Sequence, residues 1–119
     1  VIFHAILMAS SRKAVATLVT SEDFVIGAQV LVHSLLTHNP ALQQQDRIMV
    51  VCMVTNNISD YSRRLLLTSG FTQIIEIEHI PNPNAPSSVH VASWIDVGFT
   101  KLRLWSLLQF DQILYIDAD

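Results

Sequence analysis

The residues with the clearest chemical potential are two aspartates. Asp117 and Asp119, separated by Ala118, follow the apolar run Ile113-Leu114-Tyr115-Ile116. In an extended backbone the side chains at i and i+2 point to the same side, so the two carboxylates converge. Like charges held close repel unless a cation lies between them, and hard divalent ions such as Mg²⁺ or Mn²⁺ take oxygen ligands. A small residue between them, here Ala118, lets a ligand approach the backbone. The bland alternative is a solvated turn at a strand end. The preceding strand, more than the pair itself, favours a metal or phosphate role, because ligands of open α/β sheets bind beyond the carboxyl ends of the strands.

Two further groups have chemical potential. Thr17-Leu18-Val19-Thr20-Ser21 sets hydroxyls at the end of another apolar run. They either face the same crevice as Asp117 or cap the helix that follows. Lys101 lies in Phe99-Thr100-Lys101-Leu102-Arg103-Leu104-Trp105, near a helix start and off the stripe Leu102, Trp105, Leu108. An ammonium there meets either a phosphate or only solvent. Trp94 and Trp105 read as packing residues rather than stacking platforms. No two of His4, His33, His38, His79 and His90 have the i, i+4 spacing of a helical zinc site. The glycine signatures of dinucleotide-binding folds, P-loop NTPases and α/β-hydrolases are absent, so those classes lose their main support.

The elements that must carry these residues alternate. Strands are expected over Ala14–Thr20, Arg47–Thr55, Gln73–Ile80 and Gln112–Ile116. Helices are expected from Phe24 to about Thr37, from Ser59 or Asp60 to Ser69, and over Phe99–Leu108. Asn39-Pro40 ends the first helix and Gly70 the second. The block Ile48–Val54 is continuously apolar, as in a strand buried on both faces, whereas Gln73–Ile80 alternates like a half-exposed or edge strand. Pro81–Ser93, with three prolines, two asparagines and three serines, is one long loop. The order βαβαβ–loop–αβ predicts an α/β fold with a doubly wound, mostly parallel sheet.

Composition agrees. Half of the 119 residues are hydrophobic and 14% are charged, against about 25% charged in an average domain. Disorder is thereby excluded for most of the length. The net charge of −3 and the lack of a basic stripe argue against nucleic acid. The lone Cys52 excludes a disulfide scaffold. Residues 1–13 read as an apolar extension too short to span a bilayer, and 14–119 as one incomplete domain, a fragment whose last strand exposes an apolar edge. The compartment is left open between cytoplasm and Golgi lumen.

Taken together, Ala16–Ser21, Gly27-Ala28-Gln29-Val30-Leu31-Val32-His33-Ser34-Leu35, Thr100–Leu107 and Tyr115–Asp119 resemble glycosyltransferase family 8, the retaining enzymes of the glycogenin and galactinol synthase group. The resemblance covers roughly residues 14–119. It implies a Rossmann-like nucleotide-sugar-binding half-domain, usually for a UDP-sugar with Mn²⁺. By position, Leu18, Thr20 and Ser21 resemble the family's uridine contacts. Phe24 falls where glycogenins carry a tyrosine stacked on the base. Lys101 matches the lysine near the sugar diphosphate, and Asp117 and Asp119 match the metal ligands, with Ala118 between them. Two departures from the family pattern stand out: no arginine occurs between Arg64 and Lys101, where the family often has one, and the family's later histidine ligand and acceptor-side residues are absent from these 119 residues.

The reading implied is metal-dependent transfer of a hexosyl unit, with retention, from a UDP-sugar to an unidentified glycan, protein or small-molecule acceptor. This chain would hold the donor half. Two rivals stand beside it. One is a phosphatase-like hydrolase in which the first aspartate of D-x-D attacks phosphate, leaving the preceding hundred or so residues unexplained. The other is a non-catalytic remnant that binds nucleotide weakly or not at all.

Overall fold

The computed structural model of the chain describes residues 12–44, 48–81 and 98–118. Its elements are β1 (Lys13–Val19), a 3-10 turn (Glu22–Phe24), α1 (Val25–His38), a short α2 (Ala41–Gln44), β2 (Ile48–Val54), α3 (Asp60–Ser69), β3 (Gln73–Glu76), a 3-10 helix (Lys101–Ser106) and β4 (Gln112–Tyr115). The four strands form one sheet in the order β3-β2-β1-β4, and every pairing is parallel. The doubly wound expectation is met. From β1 the chain builds outward through β2 to β3, then returns to the other side of β1 for β4. The β1/β4 boundary is therefore the switch point, where the open strand ends leave a crevice.

Period-two alternation explains why β1 and β2 read as unbroken apolar runs. On one face Val19 of β1 and Val50, Cys52 and Val54 of β2 pack with Val25, Ala28 and Val32 of α1 and Leu66 of α3. On the other, Leu18 and Met53 pack with Ile77, Leu104 and Leu107, and Ala14, Ala16 and Val51 with Leu104 and Phe110. Both faces are covered, so neither strand has a polar side. Burial pushes the Cys52 thiol up to about 12, which keeps it protonated and inert. The Thr17 hydroxyl is buried and has no hydrogen-bond partner among the described residues. Replacing it with the near-isosteric valine removes that desolvated group. Thr17→Val is thus expected to raise stability by about 1 kcal/mol, read from denaturant unfolding.

Helix ends follow local chemistry. Ser59 caps α3, its hydroxyl accepting from the Ser62 amide. Gly70 closes the helix at φ 134°, in the positive-φ region that favours glycine, and its amide donates to the Leu66 and Leu67 carbonyls. The hydroxyl of Ser21, at the end of β1, does not take the capping role open to it. Glu22 instead reaches across to the start of α3, accepting from the Ser59 amide at 2.6 Å and from the Ser62 hydroxyl. The Ser62 hydroxyl, with the Ser59 amide, holds the Glu22 carboxyl below the usual glutamate range. A depressed folded-state pKa contributes stability above the unfolded pKa and loses it as pH falls through the folded value. Glu22→Gln is therefore expected to lower the thermal midpoint at neutral pH, with the difference from wild type vanishing in acid.

Three element expectations are corrected. The first helix begins at Val25, and Phe24 belongs to the 3-10 turn before it. The third strand stops at Glu76 rather than Ile80, because its partner β2 ends at Val54. The Ile77 amide makes one last bond to the Val54 carbonyl at 2.8 Å. The third change matters most for function. The segment expected as an α-helix over Phe99–Leu108 is helical at 98–100 and then narrows to 3-10 over Lys101–Ser106. With about three residues per turn, side chains at i and i+3 align in rows. Leu102, Trp105 and Leu108 form the outward row, at 50%, 76% and 87% exposure, so Trp105 is not a core residue. Leu104 and Leu107 form the row against the sheet, and Lys101 stands at its head. Trp94, the long loop from residue 82 onward, and Asp119 lie outside the described residues.

Candidate active site

The site assembles at the carboxyl end of β4. The ladder pairs Ala16 with Tyr115, and the Ile116 amide donates to the Ala16 carbonyl at 2.9 Å. Carried two residues further, this register sets Asp117 level with Leu18, near the end of β1. Alternation turns Tyr115 and Asp117 toward the face that carries the 3-10 helix, and Ala118 toward α1, where it packs on the first core.

Lys101 meets Asp117 there. Its ammonium lies 2.7 Å from Asp117 Oδ1, with the two side chains 35% and 51% exposed. The Tyr115 hydroxyl donates to the same oxygen at 2.9 Å, and Lys101 Nζ sits 5.4 Å from the Tyr115 ring centre. The Lys101 hydrogen bond, aided by Tyr115, holds the Asp117 carboxyl below the ordinary aspartate range against an opposing desolvation. Asp117 is therefore fully ionised at neutral pH. Lys101 itself is oriented from behind. Thr100, wholly buried, accepts from the Ile80 amide at 3.1 Å, and its hydroxyl is 3.0 Å from His79 Nδ1. This ties the helix start to the strand exit after Glu76.

The remaining candidates divide. Thr20 and Ser21 stand at the exit of β1. The Thr20 carbonyl accepts from Asn57 Nδ2 at 2.8 Å and from the Thr55 hydroxyl at 3.4 Å. Phe24 is 44% exposed at the foot of α1, open to a planar partner. Leu18 is different: it is 7% exposed and packed with Met53, Ile77 and Leu107, so its side chain belongs to the core. Among the described residues no three His, Cys, Asp or Glu side chains converge on one point. Arg63 and Arg103 are engaged elsewhere, with Glu76 at 2.8 Å and Glu78 at 3.6 Å. Beside Asp117 and Ala118 an open cleft of about 450 Å³ runs along α1, lined by Ile26, Gly27, Val30, Leu31 and Ser34.

Sequence reasoning missed Tyr115, Thr100 and Gly27. For Tyr115 the signal was present, since i−2 on a strand shares the face of Asp117. For Thr100 and Gly27 it was not, because their partners lie about twenty and ninety positions away.

An all-parallel α/β sheet that presents an ionised carboxylate and a lysine at its switch point has the form of a nucleotide-sugar transferase domain. Residues 15–119 match the family Glycosyl transferase family 8, and the chain belongs to that family. The match accounts for the hundred or so residues that the hydrolase rival leaves unexplained. Among curated proteins, the chain is 30% identical over 110 residues to inositol phosphorylceramide glucuronosyltransferase 1 of Arabidopsis thaliana, covering 92% of this chain and 18% of that protein. It is 35% identical over 109 residues to UDP-glucuronate:xylan alpha-glucuronosyltransferase 1 of the same plant, covering 91% and 15%. With glycogenin-1 of Caenorhabditis elegans it shares 30% over 109 residues, covering 90% and 24%. The chain thus spans a quarter or less of the length of these three relatives.

Proposed function

We propose that this chain forms the donor-binding half of a metal-dependent, retaining glycosyltransferase that moves a hexosyl or hexuronosyl unit from a UDP-sugar. The observation that carries the reading is the contact between Lys101 and Asp117 at the sheet's switch point. It brings together, from two separate elements, the two charge types that a nucleotide diphosphate and its cation require. The names of the relatives, one of which includes UDP-glucuronate, support the donor class.

The donor set fits a hard divalent cation. Asp117 offers a half-exposed, ionised carboxylate whose ligating atoms are oxygens, the chemistry that Mn²⁺ and Mg²⁺ select. Asp117 and Asp119 would hold the ion, which when bound supplies Lewis-acid stabilisation of the departing diphosphate. The chain's own residues do the rest. Lys101 directs its ammonium at the same developing charge. The Lys101 and Tyr115 hydrogen bonds keep the Asp117 carboxylate deprotonated and in one orientation. Thr20 and Ser21 offer polar groups at the end of β1 for the nucleoside, and Phe24 an aromatic face for the base. Leu18 contributes by backing that strand end.

Calorimetric titration of the full-length protein with UDP tests the reading, with and without Mn²⁺. Binding of UDP that strengthens at least tenfold when Mn²⁺ is present is the expected result. Equal binding with and without the ion would remove the metal from the proposal. No UDP binding under either condition would favour the non-catalytic remnant.

A further inference from the structure

We infer that Gly27 is a positioning residue for the Asp117–Ala118 backbone beyond β4, an inference that rests on the donor-site reading above. A Cβ added at Gly27 would overlap the backbone carbonyl oxygen of Ala118, and would lie 3.5 Å from the carbonyl carbon. The overlap is tighter than real side chains tolerate, and its partner is backbone, not the movable end of a side chain. One side must yield. Gly27 sits in the first turn of α1, next to Ala28, which is wholly buried against the sheet. Ala118 lies past the last β4 pairing at Tyr115. The helix is anchored by its core and the backbone at Asp117 and Ala118 is past the ladder, so that backbone is the side that moves.

The alternation described above then decides the consequence. Ala118 faces α1 while Asp117 faces Lys101, and the overlapped carbonyl, in the peptide that follows Ala118, is one Cα away from the peptide that follows Asp117. Displacing the Ala118 carbonyl swings the Asp117 carboxylate relative to the Lys101 ammonium and the Tyr115 hydroxyl. Glycine has poor helix propensity, and alanine would favour the helix more. A glycine at this position is therefore not explained by α1 itself. The absent Cβ lets α1 act as a rest against which the Asp117–Ala118 backbone is registered. Groups that orient metal ligands typically change affinity ten- to hundredfold when altered.

The test compares wild type, Gly27→Ala, Val32→Ala and Asp117→Asn in the full-length protein. The probe is Mn²⁺ alone, with binding read from loss of the electron paramagnetic resonance signal of the aqueous ion, and folding followed by thermal unfolding. Gly27→Ala is expected to weaken Mn²⁺ binding by about ten- to hundredfold while losing no more thermal stability than Val32→Ala. That control removes wholly buried atoms from the same helix and is expected to keep wild-type affinity. Wild-type affinity in Gly27→Ala would overturn the assignment. So would an equal loss in Val32→Ala. Failure of Gly27→Ala to fold would also overturn it, because the glycine would then serve the sheet as a whole rather than the backbone at Asp117 and Ala118. If Asp117→Asn binds Mn²⁺ as wild type does, it is the donor-site reading that fails.

Discussion

Asp117→Asn and Asp119→Asn are each expected to lower metal-dependent transfer by about 10³-fold or more in the complete enzyme, about 4 kcal/mol of transition-state stabilisation. Asparagine keeps the shape and part of the hydrogen bonding but removes the charge that attracts a hard cation. Without that cation the departing diphosphate has little to balance its developing charge. Stability should respond far less. The Lys101–Asp117 pair is exposed on both sides, and exposed ion pairs contribute about 0.2–1 kcal/mol. Asp117→Asn loses up to that amount together with the charge-assisted bond from Tyr115, and regains some from the relief of repulsion between neighbouring carboxylates. The measurement is transfer rate against Mn²⁺ concentration, with thermal unfolding of the same proteins. Wild-type rates in both variants, or full activity in excess chelator, would exclude the metal role. A phosphorylated Asp117 trapped during turnover would restore the hydrolase rival.

Lys101→Ala is expected to lower transfer at saturating donor by about 10²-fold, the usual cost of one charge-stabilising donor. The geometry sharpens the reasons for this. Lys101 stands over the Tyr115 ring and against Asp117, both at the open strand end. It leads the row whose next members, Leu104 and Leu107, pack into the core below. The same substitution takes away an exposed ion pair and an exposed cation–π contact, each worth about 1 kcal/mol or less. Activity and stability therefore separate, and the thermal midpoint should move by only a few degrees. Lys101→Arg is expected to recover part of the rate, because charge is kept while the compact ammonium is replaced by a broad fork. Unchanged transfer in Lys101→Ala would return this residue to the role of a solvated surface lysine.

These two expectations depend on different levels of information. The alternation of buried apolar runs with helical patterns, and the D-x-D at the end of the last run, are properties of neighbouring residues. Burial on both faces makes β1 and β2 continuously apolar, so the parallel sheet was legible in the order of residues alone. So were the Ser59 cap and the Gly70 stop, since capping acts within a turn of chain. The family likeness added Lys101 and the aspartates as a set.

What the chain order did not determine was which groups touch. A 3.6-residue period assigned Leu102, Trp105 and Leu108 to a buried stripe and turned Lys101 away. Packing of Leu104 and Leu107 on the sheet selects a three-residue period instead, which exposes Trp105 and aims Lys101 at Asp117. The family likeness places Leu18 among the nucleoside contacts, and packing under the 3-10 helix buries its side chain with Met53, Ile77 and Leu107. Glu22, in the turn before α1, reaches across to α3, about forty residues away. Gly27 meets Ala118 only because α1 and the end of β4 are neighbours at the switch point. Local propensity and period are written in adjacent residues and can be read there. Contacts between distant segments depend on how the layers settle against each other, and in this protein those contacts set the geometry of the site.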